Sequence, residues 1–102
     1  MNPSERERRR FPRLERQQGE VELSGRAGVR CTGIVDIGLG GIRLALADAL
    51  EPGARVRLRL RLARDEEPLD VSGQVVWARR KPPFQAGIRF IDVDVARLER
   101  LL

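Results

Sequence analysis

Two stretches of the sequence carry residues that could bind a ligand. The turn from Asp36 to Gly41 has glycine at three of its last four positions. Glycine permits positive φ angles and a close approach to the backbone, and an aspartate carboxylate accepts hydrogen bonds from N–H donors. The second stretch is an arginine cluster, Arg8, Arg9, Arg10 and Arg13. Guanidinium groups bind phosphates and guanine edges, so we expect an anionic partner: nucleic acid, a nucleotide or an acidic protein face.

The composition limits the chemistry that the chain could perform. The 102 residues carry a net charge of +5, with one cysteine and no histidine. Without histidine there is no Ser/His or Cys/His nucleophile pair, and we expect neither an enzyme nor a zinc site. We expect the single cysteine, Cys31, to be a small buried apolar residue. No apolar run approaches a membrane span or a signal peptide, so we expect a cytoplasmic protein without membrane insertion.

The alternation of apolar and polar residues predicts an all-β fold. We place six short strands and a C-terminal helix, capped by Asp92 or Asp94, at residues 18–24, 29–37, 42–46, 55–62, 69–79, 86–91 and about 93–101. Such strands with tight turns predict a small six-stranded antiparallel barrel over residues 17–102. Residues 1–16 have no apolar periodicity, so we expect a mobile basic N-terminal arm there.

The same alternation predicts which side chains face the core. In the second strand we place the odd-numbered positions from Val29 to Ile37 on the apolar face, and Ile34 and Asp36 on the other face. Trp77 shares its parity with the apolar residues of the fifth strand, so we favour a core position. The alternative is a ring at the barrel mouth that stacks on a base.

Alternate residues of the fourth strand are arginines, at positions 55, 57, 59 and 61. They are typical either of a nucleic-acid-binding stripe or of a solvated face whose charges discourage edge aggregation. We favour the solvated face, because Asp70 can lie opposite on the next strand and no aromatic residues interleave with the arginines.

Taken together, the sequence resembles the PilZ domain, a bacterial receptor module for the second messenger cyclic di-GMP. The family pattern has RxxxR, often RRxxR, in an N-terminal arm and [D/N]xSxxG at a later β-turn. Arg9-Arg10-Phe11-Pro12-Arg13 matches the first motif, and Asp36 and Gly41 match the second with the same spacing. Gly38 stands where the family usually has serine. Segments 42–44, 75–77 and 87–90 also look like strands of the family.

The resemblance implies a PilZ-like split barrel that binds cyclic di-GMP and changes the surface offered to a downstream protein. Arg9, Arg10 and Arg13, helped by Arg8, would pair with the phosphates and guanines. Asp36 would accept from guanine N1–H and N2–H. The turn glycines Gly38, Gly40 and Gly41 would approach the ligand with their backbone, and Trp77 is the candidate stacking residue. No cofactor is implied.

Two other functions remain open from the sequence. A degenerate PilZ adaptor would act by protein–protein contacts without binding a nucleotide, which the glycine at position 38 favours. A basic nucleic-acid-binding barrel that uses the arginines of the fourth strand ranks third.

Overall fold

Six strands and one short helix form the described part of the chain. The computed structural model describes residues 19–24, 29–62 and 67–102. The elements are β1 (Glu20–Ser24), β2 (Cys31–Ile37), β3 (Gly41–Leu46), β4 (Arg55–Arg61), β5 (Leu69–Ala78), β6 (Gln85–Asp92) and α1 (Val95–Leu101). The predicted all-β class, strand count and C-terminal helix are confirmed. The predicted arm over residues 1–16 lies outside the described residues.

All neighbouring strands are antiparallel, in the order β1-β4-β5-β6-β3-β2. The two end strands, β1 and β2, also come close to each other, so the sheet curls into a nearly closed barrel. Because the sheet closes in this way, alternate side chains of each strand point into one shared interior and the others face outward.

The clearest alternation lies in β4, where Val56, Leu58 and Leu60 are buried and the arginines between them are exposed. The core also takes apolar residues from β2, β3, β5 and β6, as period-two strands with one buried face require. Cys31 is only half-buried, so its predicted burial is partly wrong. Burial nevertheless raises the pKa of its thiol.

The helix α1 closes one side of this core. Asp94 is its N-cap and accepts a hydrogen bond from the backbone N–H of Arg97 at 3.1 Å, which confirms one of the two predicted caps. Leu98 is fully buried, and Leu101 and Leu102 pack against the core. Val95, the first residue of the helix, is exposed.

Two β-bulges change the faces of β2. Cys31 lies opposite Leu46, Ile34 opposite Leu44, and Ile37 opposite Ile42. The core-facing residues of β2 are therefore three apart, because one extra residue is inserted in each interval. Our face assignment for this strand was wrong at two positions: Ile34 is buried in the core, and Val35 sits in a bulge instead of continuing the apolar face. Ile37 lies in the core as predicted.

A third bulge changes the face of Trp77. Val75 lies opposite Ile88 while Trp77 lies opposite Gly87, so Val76 is the extra residue. The bulge moves Trp77 to the outside of the barrel, where the residue is 40% exposed. The favoured core position for Trp77 was wrong. The alternation of the strand is interrupted at Val76, so counting every second residue gives the wrong face for Trp77.

Candidate functional site

One row of residues crosses four adjacent strands on the outside of the barrel. Asp36 of β2 lies opposite Arg43 of β3, Arg43 lies opposite Gly87 of β6, and Gly87 lies opposite Trp77 of β5. We call these four residues the outer row. Neighbouring strands lie about 4.8 Å apart, so the row spans about 14 Å from one end to the other. It begins at the strand that enters the glycine turn.

Asp36 forms one end of the outer row. Among the described residues, Asp36 is the charged residue that is buried. The guanidinium Nη2 of Arg43 donates a hydrogen bond to its Oδ2. The Asp36 side chain is 6% exposed, whereas that of Arg43 is 40% exposed. The pair therefore joins a carboxylate shielded from water to a guanidinium that is still accessible from solution. Such a carboxylate attracts donors more strongly than one in open water.

Trp77 forms the other end, and its indole rests on Gly87. A Cβ atom at position 87 would collide with the indole nitrogen and with ring carbons Cε2 and Cδ1. Only glycine therefore lets the ring lie against the β6 backbone here. One side of the indole is packed against the protein, and the exposed remainder offers a flat apolar surface to a planar ligand.

The glycine turn joins β2 to β3 beside the row. The Gly38 N–H donates to the Gly41 carbonyl at 2.9 Å, and the Phe90 N–H donates to the Gly40 carbonyl at 2.9 Å. A Cβ at Gly41 would collide with the Ile88 carbonyl oxygen, whereas a Cβ at Gly40 would meet nothing within 4 Å.

The turn glycines are not needed for positive φ. Among the described residues, positive φ occurs at Gly19 and Gly53 and not in the glycine turn. Of the two properties that glycine permits, positive φ is therefore not used in this turn, and the close approach to the backbone is. Gly41 is required because β6 approaches closely, while Gly40 is exposed and leaves its backbone open to solvent.

Arg89 extends the positive charge beyond the outer row. It lies opposite Gly41 and opposite Gln74, and its Nη2 donates to Gln74 Oε1 at 3.2 Å. Gln74 Nε2 in turn donates to the Gly53 carbonyl at 3.3 Å. These contacts hold a guanidinium on the outer surface next to the glycine turn.

The arginines of β4 lie on a different part of the outer surface, over β1, β4 and β5. Arg61 lies opposite Glu20, and Arg59 lies between Glu22 and Asp70. Arg59 Nε donates to Asp70 Oδ1 at 3.0 Å, which confirms the predicted opposition. This contact lowers the pKa of the Asp70 carboxyl and raises the pKa of Arg59. A groove of about 310 Å³ on this face is lined by charges of both signs, which suits neither a phosphate chain nor stacked bases.

The structure brings together some of the predicted site residues. Asp36, Gly38, Gly40 and Gly41 share one turn, and Trp77 lies three strands away in the outer row. The predicted ligands Arg8, Arg9, Arg10 and Arg13 lie outside the described residues. Within the described ranges, no group of three or more cysteine, aspartate or glutamate residues could hold a metal ion. No helix in those ranges is long and apolar enough to cross a membrane.

Sequence reasoning missed three residues of this surface, Arg43, Gly87 and Arg89. Gly87 could have been found, because an isolated glycine within a strand often marks a close approach to the backbone. Arg43 could not, because its place in the outer row depends on the bulge at Val35, which shifts the register against β3.

Comparison with known proteins agrees with the fold. The PilZ domain family matches residues 7–102, and the chain belongs to this family. PilZ domains are generally non-catalytic binding modules. No curated protein is a significant match. Among solved structures, the fold is similar to that of the Bacillus subtilis inhibitor of motility, MotI/DgrA, with a TM-score of 0.70 and 22% identity. The alignment covers 91% of this chain but only 48% of that protein, so the chain spans about half its length.

Proposed function

We propose that this chain is a non-catalytic receptor for cyclic di-GMP, which binds over the glycine turn and the outer row. The observation that carries the proposal is that one row on the outside of the barrel has a shielded carboxylate at Asp36 at one end and an aromatic platform at Trp77 at the other. Cyclic di-GMP has two guanines, so the donor edge of one suits the carboxylate and the flat π surface of the other suits the indole. Membership of the PilZ family points to the same ligand.

The phosphates of the ligand need cationic partners, and the proposal assigns them to Arg9, Arg10 and Arg13, with Arg8 beside them. Gly19, the first described residue, supports this assignment. A Cβ there would lie 3.3 Å from Cδ1 of Ile34, two residues before Asp36 on β2. Arg13 precedes Gly19 by six residues, which extended chain can stretch over about 20 Å. Arg13 is therefore within reach of the glycine turn.

Ligand binding would then alter the surface that the domain presents. Paired guanidinium and phosphate groups would hold the N-terminal segment against the outer row, and a downstream protein would read the new surface. The structural neighbour described as an inhibitor of motility is a protein with this fold in a regulatory role.

The adaptor alternative is supported by one specific observation. Gly38 has no side-chain hydroxyl, so one neutral hydrogen bond to the ligand is missing, worth about 0.5–1.5 kcal/mol or roughly two- to thirteenfold in affinity. A loss of this size weakens binding without abolishing it. The acidic residues that lie opposite Arg59 and Arg61 on the neighbouring strands disfavour the nucleic-acid alternative.

Isothermal titration calorimetry with cyclic di-GMP tests the proposal. We expect saturable binding to the wild-type protein and a strong loss of affinity in Arg13→Ala. Arg59→Ala is the matched control, because it removes the same side chain from the opposite outer surface and is expected to leave affinity within twofold. Cyclic di-AMP is the control ligand, since an adenine edge places an acceptor where guanine has the N1–H donor.

Absence of any heat from the wild-type protein would overturn the receptor proposal and leave the adaptor. Equal affinity for both cyclic dinucleotides would contradict recognition of guanine by Asp36. Affinity for RNA or DNA that falls steeply with salt, survives Arg13→Ala and weakens in Arg59→Ala would instead support the nucleic-acid alternative.

A further inference from the structure

The outer row has a neighbouring row of outward residues on each side. On the side of the glycine turn, Arg89 of β6 lies opposite Gly41 of β3 and Gln74 of β5. On the other side, Ala45 lies opposite Gln85. Outward residues are two positions apart along a strand, so each neighbouring row lies about 7 Å from the outer row. The β3–β6 pair is therefore charged on the glycine-turn side and uncharged on the other.

Arg89 is held in this neighbouring row without losing its charge. Its Nη2 donates to Gln74 Oε1 at 3.2 Å, and Gln74 Nε2 donates to the Gly53 carbonyl at 3.3 Å. Arg59, in contrast, donates to the carboxylate of Asp70. An amide orients a guanidinium but does not neutralise it, so the charge of Arg89 stays available to an anion.

The Arg89 side chain is also accessible to a ligand. The residue is exposed, and within the described ranges it forms no ion pair. A guanidinium has several N–H groups, and Gln74 accepts a hydrogen bond from one nitrogen of Arg89. The remaining N–H groups can bind a phosphate, which accepts parallel hydrogen bonds from the guanidinium fork.

The shape of the proposed ligand brings a phosphate to this row. Cyclic di-GMP carries its two guanines at opposite ends of a ribose–phosphate ring and one phosphate on each of the two remaining sides. The proposed function places the guanines at Asp36 and Trp77, the two ends of the outer row. With the ring along the row, one phosphate points toward Arg89 and the other toward the uncharged row on the opposite side.

We infer that Arg89 binds the phosphate on the glycine-turn side and that Gln74 is the positioning residue for this contact. The inference rests on the proposed function, and it adds to the N-terminal arginines a phosphate-binding group that belongs to the barrel itself. Because Gln74 already restricts the guanidinium, less side-chain entropy is lost when the phosphate binds.

Cyclic di-GMP titrations of the wild type, Arg89→Met and Arg55→Met test the inference. Arg55 is the matched control, because it is exposed and lies opposite Gln74 on the edge away from Arg89, so its removal changes the net charge equally. We expect Arg89→Met to bind about three- to thirtyfold more weakly and Arg55→Met to stay within about twofold. The affinity of Arg89→Met is also expected to fall less steeply with salt, since one ionic contact is missing.

The role of Gln74 is tested through Arg89. Gln74→Leu is expected to weaken binding about two- to fivefold in the wild-type background and to have no effect in Arg89→Met, because Gln74 acts through Arg89 alone. A purely structural role of Gln74 in holding the turn at Gly53 would give the same loss in both backgrounds, and the positioning role would then be wrong.

The possible results separate the inference from the proposed function. If the wild type binds and Arg89→Met binds with the same affinity, the phosphate contact of Arg89 is wrong while the receptor proposal stands. Equal losses in Arg89→Met and Arg55→Met would reduce the effect to general charge and also overturn the inference. If the wild type does not bind, the receptor proposal itself fails.

A second variant keeps the test valid if Arg89→Met does not fold. Arg89→Lys keeps the positive charge but lacks the planar fork, so its affinity is expected to lie between those of the wild type and the methionine variant. An Arg89→Lys protein that binds as tightly as the wild type in low and high salt would exclude a forked contact between Arg89 and phosphate.

Discussion

The outer surface of the barrel has two regions built by different rules. Over β1, β4 and β5 the strands alternate without interruption next to β4, and each outward arginine at 59 and 61 faces an acidic neighbour. Over β2, β3, β5 and β6, bulges at Val35 and Val76 interrupt the alternation and bring Asp36, Arg43 and Trp77 into one row. In the first region Arg59 and Arg61 face carboxylates on the neighbouring strands, and the second region holds an aromatic surface and a shielded carboxylate.

The difference shows how bulges change the outer surface of a small barrel. A regular strand presents every second residue to water, so its outer face acquires solvated and mutually neutralised charges. A bulge presents side chains that the alternation would have placed in the core. Trp77 is outside because of one inserted residue, so the bulge at Val76 places the aromatic surface in the outer row.

The largest expected effect comes from removal of the aromatic surface. Trp77→Ala is expected to weaken cyclic di-GMP binding by about 1–3 kcal/mol, roughly five- to 150-fold, because stacking on one base is lost. The control is Val76→Ala, which truncates the adjacent exposed residue of the same bulge and is expected to change affinity by less than twofold. Equal losses of affinity in both variants would mean that the indole of Trp77 makes no specific contact with the ligand.

A second comparison tests the contact that seats the indole. Gly87→Ala is expected to lower the stability by about 1–3 kcal/mol, because the new methyl group collides with the indole of Trp77. Gly33→Ala is the control, since a Cβ there meets nothing within 4 Å, and it is expected to be neutral or slightly stabilising. Chemical denaturation measures both, and an unchanged midpoint for Gly87→Ala would contradict the observed packing.

A smaller gain is expected at the turn. Gly38→Ser restores the hydroxyl of the family motif and is expected to tighten cyclic di-GMP binding about two- to thirteenfold. Gly38 does not have a positive φ, so its backbone conformation is one that serine adopts readily. Gly40→Ser, at the exposed turn position, is the positional control and is expected to give no gain. A variant at position 38 that binds where the wild type does not would identify the wild type as the adaptor form.

The smallest effect is expected on the arginine-covered face. Arg59 lowers the pKa of Asp70, so their contact stabilises the fold above the ordinary aspartate pKa of about 3.9, and this contribution is lost as the pH falls through the lowered folded-state value. Thermal scans of the wild type and Asp70→Asn are expected to differ slightly at neutral pH and to converge in acid. A difference in stability between the two proteins that grows toward low pH would contradict the lowered pKa of Asp70.

The sequence predicted the regular elements well and the bulged ones poorly. The arginine alternation of β4 and the apolar alternation of β3 were read correctly, because period two applies directly to an uninterrupted strand. The faces of Ile34 and Trp77 were predicted wrongly, because a bulge depends on pairing with a distant strand. The local warning was present in both cases: Ile34 and Val35, and likewise Val75 and Val76, are consecutive apolar residues that break strict alternation.

The candidate site was predicted in its motif residues and not in its geometry. Asp36 and the turn glycines were identified by type and spacing, but the reason for Gly41 is the carbonyl of Ile88 on β6, which no local pattern reveals. The pairing of Arg43 with Asp36 likewise requires the register of two strands. Such long-range register follows from the fit of the whole barrel.

Trp77 is the only tryptophan of the chain, so intrinsic fluorescence reports directly on the outer row. With excitation at the red edge of the indole band, we predict a saturable change in emission as cyclic di-GMP is added, and none with cyclic di-AMP at the same concentrations. A guanine stacked on the indole produces this change at the same midpoint as the calorimetric titration. Calorimetric binding without any change in the emission of Trp77 would contradict a ligand bound over this row.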